Sequence, residues 1–125
     1  MSETSIVSVH TIQVSRIDLD PYGIAHHSRY FHWMEEAALN HISALPQALS
    51  DVEVDFHRPR MISATGKFIN SACLGDTLSV STRLDAITSV GACWLLTFRH
   101  SIKRSQSAFQ YFHGKLSLEF QRRST

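Results

Sequence analysis

Between positions 18 and 30 the chain reads Asp18-Leu19-Asp20-Pro21-Tyr22-Gly23-Ile24-Ala25-His26-His27-Ser28-Arg29-Tyr30, which gathers two carboxylates, two imidazoles and a guanidinium around a Pro and a Gly. Pro and Gly at this spacing predict a tight turn. The helical periodicity that starts just after it predicts a helix whose first backbone N–H groups have no partner within the helix and whose dipole is positive at that end. A carboxylate held on such a turn can attack an acyl carbonyl or activate a water, while a helix-start amide polarises the carbonyl oxygen. Those are the two parts that acyl transfer needs. The competing reading is structural: Asp in turns often bonds its own backbone, and His27 would then simply pack at the helix start. Asp18 is assigned mainly to the turn, and for Asp20 the residues alone leave both readings open.

The elements that must position these groups follow from hydrophobic period. With Ser28 as N-cap, Tyr30, Phe31, Trp33, Met34, Ala37, Ala38, Ile42 and Leu45 fall on one side of a helix, and Arg29, His32, Glu36, Asn40 and Ser43 on the other. Pro46 ends it. Glu35 borders the apolar face, and His41, in the middle of that face, is expected to be a core or interface histidine. Leu78, Val80 and Leu84 alternate with polar residues over 77–85, and the same period of two recurs over 92–102 and 108–120, so three antiparallel strands joined as hairpins are expected. The segment 61–69 reads as a further strand, and 6–17 as a less regular one before the helix. Pro59 and the charges of 47–60 suggest a loop. The expectation is therefore one α+β domain over 1–125, with a long central helix wrapped by a curved antiparallel sheet of about five strands.

Composition excludes several classes. The 125 residues are 43% hydrophobic and 18% charged with a net charge of +1, so no global field argues for nucleic acid or an anionic membrane. Nowhere do about 18 apolar residues run together, and the first residues do not read as an export signal, which predicts no membrane span and a cytoplasmic location. Cys73 and Cys93 lack CxxC spacing and are expected to be buried small residues. Eight histidines stand in no zinc-like frame, and there is no glycine-rich phosphate loop, so neither a metal nor a nucleotide cofactor is expected.

The run D-x-D-P-x-G-I followed by H-x-x-Y and a helix containing W-M-E resembles the signature of hotdog-fold thioesterases of the 4-hydroxybenzoyl-CoA and acyl-CoA type. Leu74-Gly75-Asp76-Thr77-Leu78 is similar to that family's turn before the third strand. The resemblance implies the hotdog fold and hydrolysis of an acyl thioester, with Asp20 as nucleophile or general base. It places the carbonyl-polarising amide near His27, and an imidazole of the bacterial acyl-CoA branch on His27 itself. Substrate contacts are implied for Gly23, Ile24, His26, Tyr30 and Glu35. Two positions depart from the pattern: Arg29 stands where Asn is common and Ala38 where Arg is usual, which bears on substrate identity.

Arg58 and Arg60, beside His57, together with Lys67 and the tail Arg122-Arg123, are local cations that suit the phosphates of coenzyme A or of an acidic carrier protein's pantetheine arm. Their alternative is solubilising charge. Arg29 could meet an anionic acyl group or a phosphate, and Tyr30, Phe31, Trp33, Met34 and Phe68 could line a slot for an aromatic or medium-length acyl group, or be core. Homodimers or homotetramers with shared sites are implied by the resemblance and agree with an exposed sheet edge. A hotdog dehydratase or hydratase, with Asp20 and His26 six residues apart, and a non-catalytic acyl-binding subunit are the other two readings.

Overall fold

The computed structural model describes residues 6–43 and 54–122. Strand β1 (Val7–Gln13) runs through a short 3-10 turn (Arg16–Asp18) to the helix α1 (His27–Ile42), followed by β2 (Val54–Phe68), β3 (Thr77–Val90), β4 (Cys93–Arg104) and β5 (Gln110–Arg122). The strands form one antiparallel sheet in the order β1-β3-β4-β5-β2. The hairpins β3–β4 and β4–β5 are those expected from their short turns, whereas β2 crosses to the far edge and pairs with β5.

Alternation decides which face is covered. Leu78, Val80 and Leu84 of β3, Leu96, Phe98 and Ile102 of β4, and Phe112, Leu116, Leu118 and Phe120 of β5 are buried beneath α1, which contributes Tyr30, Trp33, Met34, Ala37, Ala38 and His41. The opposite face, here the outer face, carries the intervening polar side chains. The row Ser8, Thr82, His100, Gly114 and Gly66 crosses all five strands in register. A Cβ on Gly114 would lie 2.3 Å from Met34 Sδ and 2.5 Å from Phe112 Cε2, so the helix sits on bare backbone there. Gly114→Val should therefore overpack the core, costing about 1–3 kcal/mol. Urea unfolding should show a lower midpoint; an unchanged midpoint would mean that α1 is not seated on β5.

Three expectations are corrected. Residues 54–60 belong to β2, not to a loop. Pro59 is tolerated because β2 is an edge strand, and the pairing with β5 is irregular between Asp55 and Arg60, where Pro59 falls. The helix N-cap is His26, not Ser28, and it has no side-chain cap hydrogen bond. The antiparallel bridge Leu19↔Ala25 and the bond from His26 N–H to the Asp18 carbonyl (2.9 Å) turn the chain into the helix two residues early. The cysteines are not core: Cys73 is exposed in the connection before β3, bridged to Ile24, and Cys93 is half-buried at the start of β4. The helix has 16 residues, and the expected Leu45 and Pro46 lie outside the described residues.

Candidate active site

The segment after β1 is tied down by its own side chains. Ser15 N–H (2.8 Å) and Oγ (3.2 Å) donate to Asp18 Oδ2, and Arg29 Nε donates to Asp18 Oδ1 at 2.7 Å. Asp18 is buried, so its charge is balanced by the guanidinium. It is structural, as expected, and it joins the 3-10 turn to the first turn of α1. This also revises Arg29. Its Nε is paired within the fold, which gives the side chain a structural role beside the expected contact with an acyl group or phosphate. Arg29→Ala should lower stability by about 1–3 kcal/mol, because a buried carboxylate loses its charged partner. Denaturant unfolding would check this, and no loss would remove the structural assignment.

Asp20 occupies the following turn. Gly23 N–H bonds the Asp20 carbonyl at 3.0 Å, with Gly23 at φ 84, a left-handed conformation that favours glycine. The Asp20 N–H in turn bonds the Ile24 carbonyl at 2.8 Å. Asp20 Oδ1 accepts the N–H groups of Tyr22 (2.8 Å) and Ile24 (3.2 Å), while Oδ2 has no hydrogen bond among the described residues. One carboxylate oxygen thus builds the turn and the other is open. The turn-building bonds expected of an Asp in this position are present, and they leave one oxygen without a partner among the described residues. Gly23 and Ile24, expected to contact substrate, are placed here as parts of that turn.

At the helix start, Arg29 N–H bonds the His26 carbonyl at 3.0 Å, and the His27 amide has no partner among the described residues. The exposed His27 ring stacks on Phe68 with centroids 3.9 Å apart and planes at 15°. A cleft of about 120 Å³ lies here, lined by Ala25, His27, Tyr30, Phe68, Ile69 and Asn70 among others; Asp20 is not among its lining residues. Its walls come from α1 and from the chain just after β2. Ile69 and Asn70 were missed from sequence, although the Asn70-Ser71 pair following an apolar run is a loop signal.

Tyr30 forms part of the cleft, but its hydroxyl accepts the Ala72 N–H at 3.0 Å, and burial raises its pKa above the ordinary tyrosine value. It anchors the 69–73 segment rather than offering its hydroxyl to a ligand. Of the expected slot residues only Tyr30 and Phe68 reach the cleft; Trp33 and Met34 are core. Half-buried Glu35 lies eight residues beyond His27, about 12 Å along the helix. The exposed His26 ring is at the N-cap.

The expected cations do not gather. Arg58 and Arg60 lie in the first half of β2, where Arg60 pairs with Glu119 (3.2 Å), while Lys67 is at the other end beside Phe68, about 23 Å along the strand from Arg60. Arg122 stacks over Trp94 instead, and Arg123 is outside the described residues. Larger depressions, of about 340 and 320 Å³, lie across the sheet and are lined by Arg83, Arg99, His113 and Lys115 together with Ser and Thr of neighbouring strands.

No family model and no curated protein matches the chain. Solved structures do. A hypothetical protein from Thermus thermophilus superimposes with a TM-score of 0.69 at 23% identity, covering 94% of this chain and 87% of its own. A 1,4-dihydroxy-2-naphthoyl-CoA thioesterase from Synechocystis gives 0.67 at 16% identity, with 94% and 88% covered. A 4-hydroxybenzoyl-CoA thioesterase from a Pseudomonas strain gives 0.66 at 17% identity, with 91% and 84% covered. The chain therefore has the hotdog fold that these thioesterases share.

Proposed function

We propose that this protein hydrolyses acyl thioesters of coenzyme A or of a carrier protein. The observation that carries the reading is Asp20, held on a rigid turn with Oδ1 bonded to the backbone and Oδ2 open, a few residues before an unpartnered helix-start amide. The likeness in fold to CoA thioesterases supports it. In the reaction the His27 amide donates to the thioester carbonyl oxygen, whose negative charge grows as the carbon is attacked. Asp20 either takes a proton from the attacking water or attacks first, giving an anhydride that water then opens. Either way the thiolate leaves, takes up a proton, and a carboxylic acid remains. The Phe68, Tyr30 and Ile69 walls suit an aromatic or medium-length acyl group better than acetyl.

We further propose that the protein is cytoplasmic and works as a homodimer or homotetramer. The edge strand β2 exposes Met61 and Ile62, and pairing would cover them. Free-thiol release from a panel of acyl-CoA thioesters tests the activity. Turnover of aromatic or medium-chain substrates is expected, and no thiol release from any of them would overturn the reading. Hydration of an enoyl-CoA in the same panel would point to the hydratase instead.

His27 contributes its amide whatever its side chain, and its ring packs on Phe68. His27→Ala should therefore lower kcat/KM by about 10-fold, less than loss of the Asp20 carboxylate does. Equal loss in the two variants would make the imidazole a direct participant.

A further inference from the structure

The outer face of the sheet gathers cations from four strands. Three adjacent rows of its register read Thr65-Lys115-Arg99-Arg83-Val7, Lys67-His113-Ser101-Ser81-Val9, and Gln110-Lys103-Ser79-Thr11. They hold Lys67, Arg83, Arg99, Lys103 and Lys115 and no acid, although the whole chain is nearly neutral at +1. The nearest counter-charge is Asp85, bulged out of the register and bound to Arg99 at 3.3 Å. Lys67, Arg83, Lys103 and Lys115 have no ion pair among the described residues. Apart from the Arg99–Asp85 pair, no ion pair among the described residues uses this charge.

From this segregation we infer that the outer face docks an acidic carrier protein that delivers the acyl group on its pantetheine arm; the inference rests on the thioesterase reading and names its substrate. The patch spans about 14 Å across the four strands from Lys67 to Arg83 and about 13 Å along β4 from Arg99 to Lys103. That is broader than one phosphate cluster and matches the side of a helix about 10 Å wide that presents acidic residues. The depressions between the arginine and lysine stems give such side chains places to sit.

Lys67 immediately precedes the cleft residue Phe68, so the patch reaches the end of β2 that holds the cleft. The rows carry a single ring, the His113 imidazole, which is bonded to Gln110 Oε1 at 2.6 Å, so they offer no series of aromatic platforms for successive bases of a single-stranded nucleic acid. A second copy applied to the same face by a two-fold axis would set cations against cations.

The test compares one acyl group carried on holo-carrier protein and on coenzyme A, using the wild type and the variant Arg83→Glu/Lys103→Glu/Lys115→Glu, with circular dichroism and the melting temperature confirming that the variant folds. At low salt the variant should raise KM for the carrier thioester by at least about 10-fold with kcat unchanged. The same acyl-CoA should be hydrolysed within about 2-fold of wild type, and added salt should erase the wild-type preference for the carrier.

Equal loss on both substrates, loss on acyl-CoA alone, or no preference for the carrier would overturn the inference. If neither thioester is hydrolysed, the thioesterase reading fails, and docking is still decided by titrating labelled holo-carrier protein. Binding that disappears in the variant supports the face. Absence of binding, or binding only of duplex DNA or anionic vesicles, overturns it.

Discussion

Asp20→Asn should yield a protein as stable as wild type that hydrolyses acyl thioesters about 100-fold more slowly or worse, the loss expected when a base or nucleophile is removed. The separation of stability from rate comes from how the side chain is used. Oδ1 accepts the Tyr22 and Ile24 N–H groups, and an asparagine carbonyl oxygen, with two lone pairs, keeps both bonds in neutral form. The open oxygen becomes an amide nitrogen, which neither attacks nor takes a proton. Asp20→Ala makes the complementary control. It removes the two turn bonds as well and should lose stability in addition to activity, at about 1 kcal/mol per bond. Single-turnover thiol release and urea unfolding on the three proteins decide the matter. Near wild-type hydrolysis by folded Asp20→Asn would leave Asp20 a turn residue only.

Acidification should weaken the fold from near neutrality downward, through two histidines that the reaction does not use. His41 on α1 and His100 on β4 are both buried. His41 Nδ1 meets Ser8 Oγ at 2.5 Å, and His100 Nδ1 meets Thr82 Oγ1 at 2.9 Å. Their Nε2 atoms have no partner among the described residues. Burial lowers the pKa of His41, and burial together with the proximity of His41 lowers that of His100 from 6.5 to about 3. The folded state therefore keeps both rings neutral, while the unfolded chain takes up protons below its ordinary histidine pKa.

Stability is complete above about 6.5 and falls as the pH drops from there toward about 3. The His100 share of that slope is about 1.4 kcal/mol per pH unit. Urea unfolding at several pH values between 7.5 and 4.5 should show the decline, and His100→Asn, although less stable at neutral pH, should have a shallower one. An equal slope in both proteins would clear His100 of the effect.

What the sequence determined by itself was whatever repeats locally. Leu78, Val80 and Leu84, or Tyr30, Trp33 and Met34, declare a buried face because strand and helix periods are short enough to be legible within one element. The Asp20-Pro21-Tyr22-Gly23 turn was legible for the same reason, since its bonds span four residues. Tertiary structure alone decided what depends on pairing. Pro59 signalled a break, yet an edge position let β2 continue past it, and only the sheet order shows that β2 is an edge. Arg29 gave no sign in the sequence of the partner it has in Asp18, eleven residues away.

The cleft needed Ile69 and Asn70 to meet His27, and the meeting of His41 with His100 joined residues with no sequence signal in common. The outer cations follow the same logic. Lys67, Arg83, Arg99 and Lys115 are scattered through 49 residues of ordinary polar alternation, and strand register alone brings them together. Register is set by turns and by the matching of buried faces over the whole sheet, so no single segment carries it.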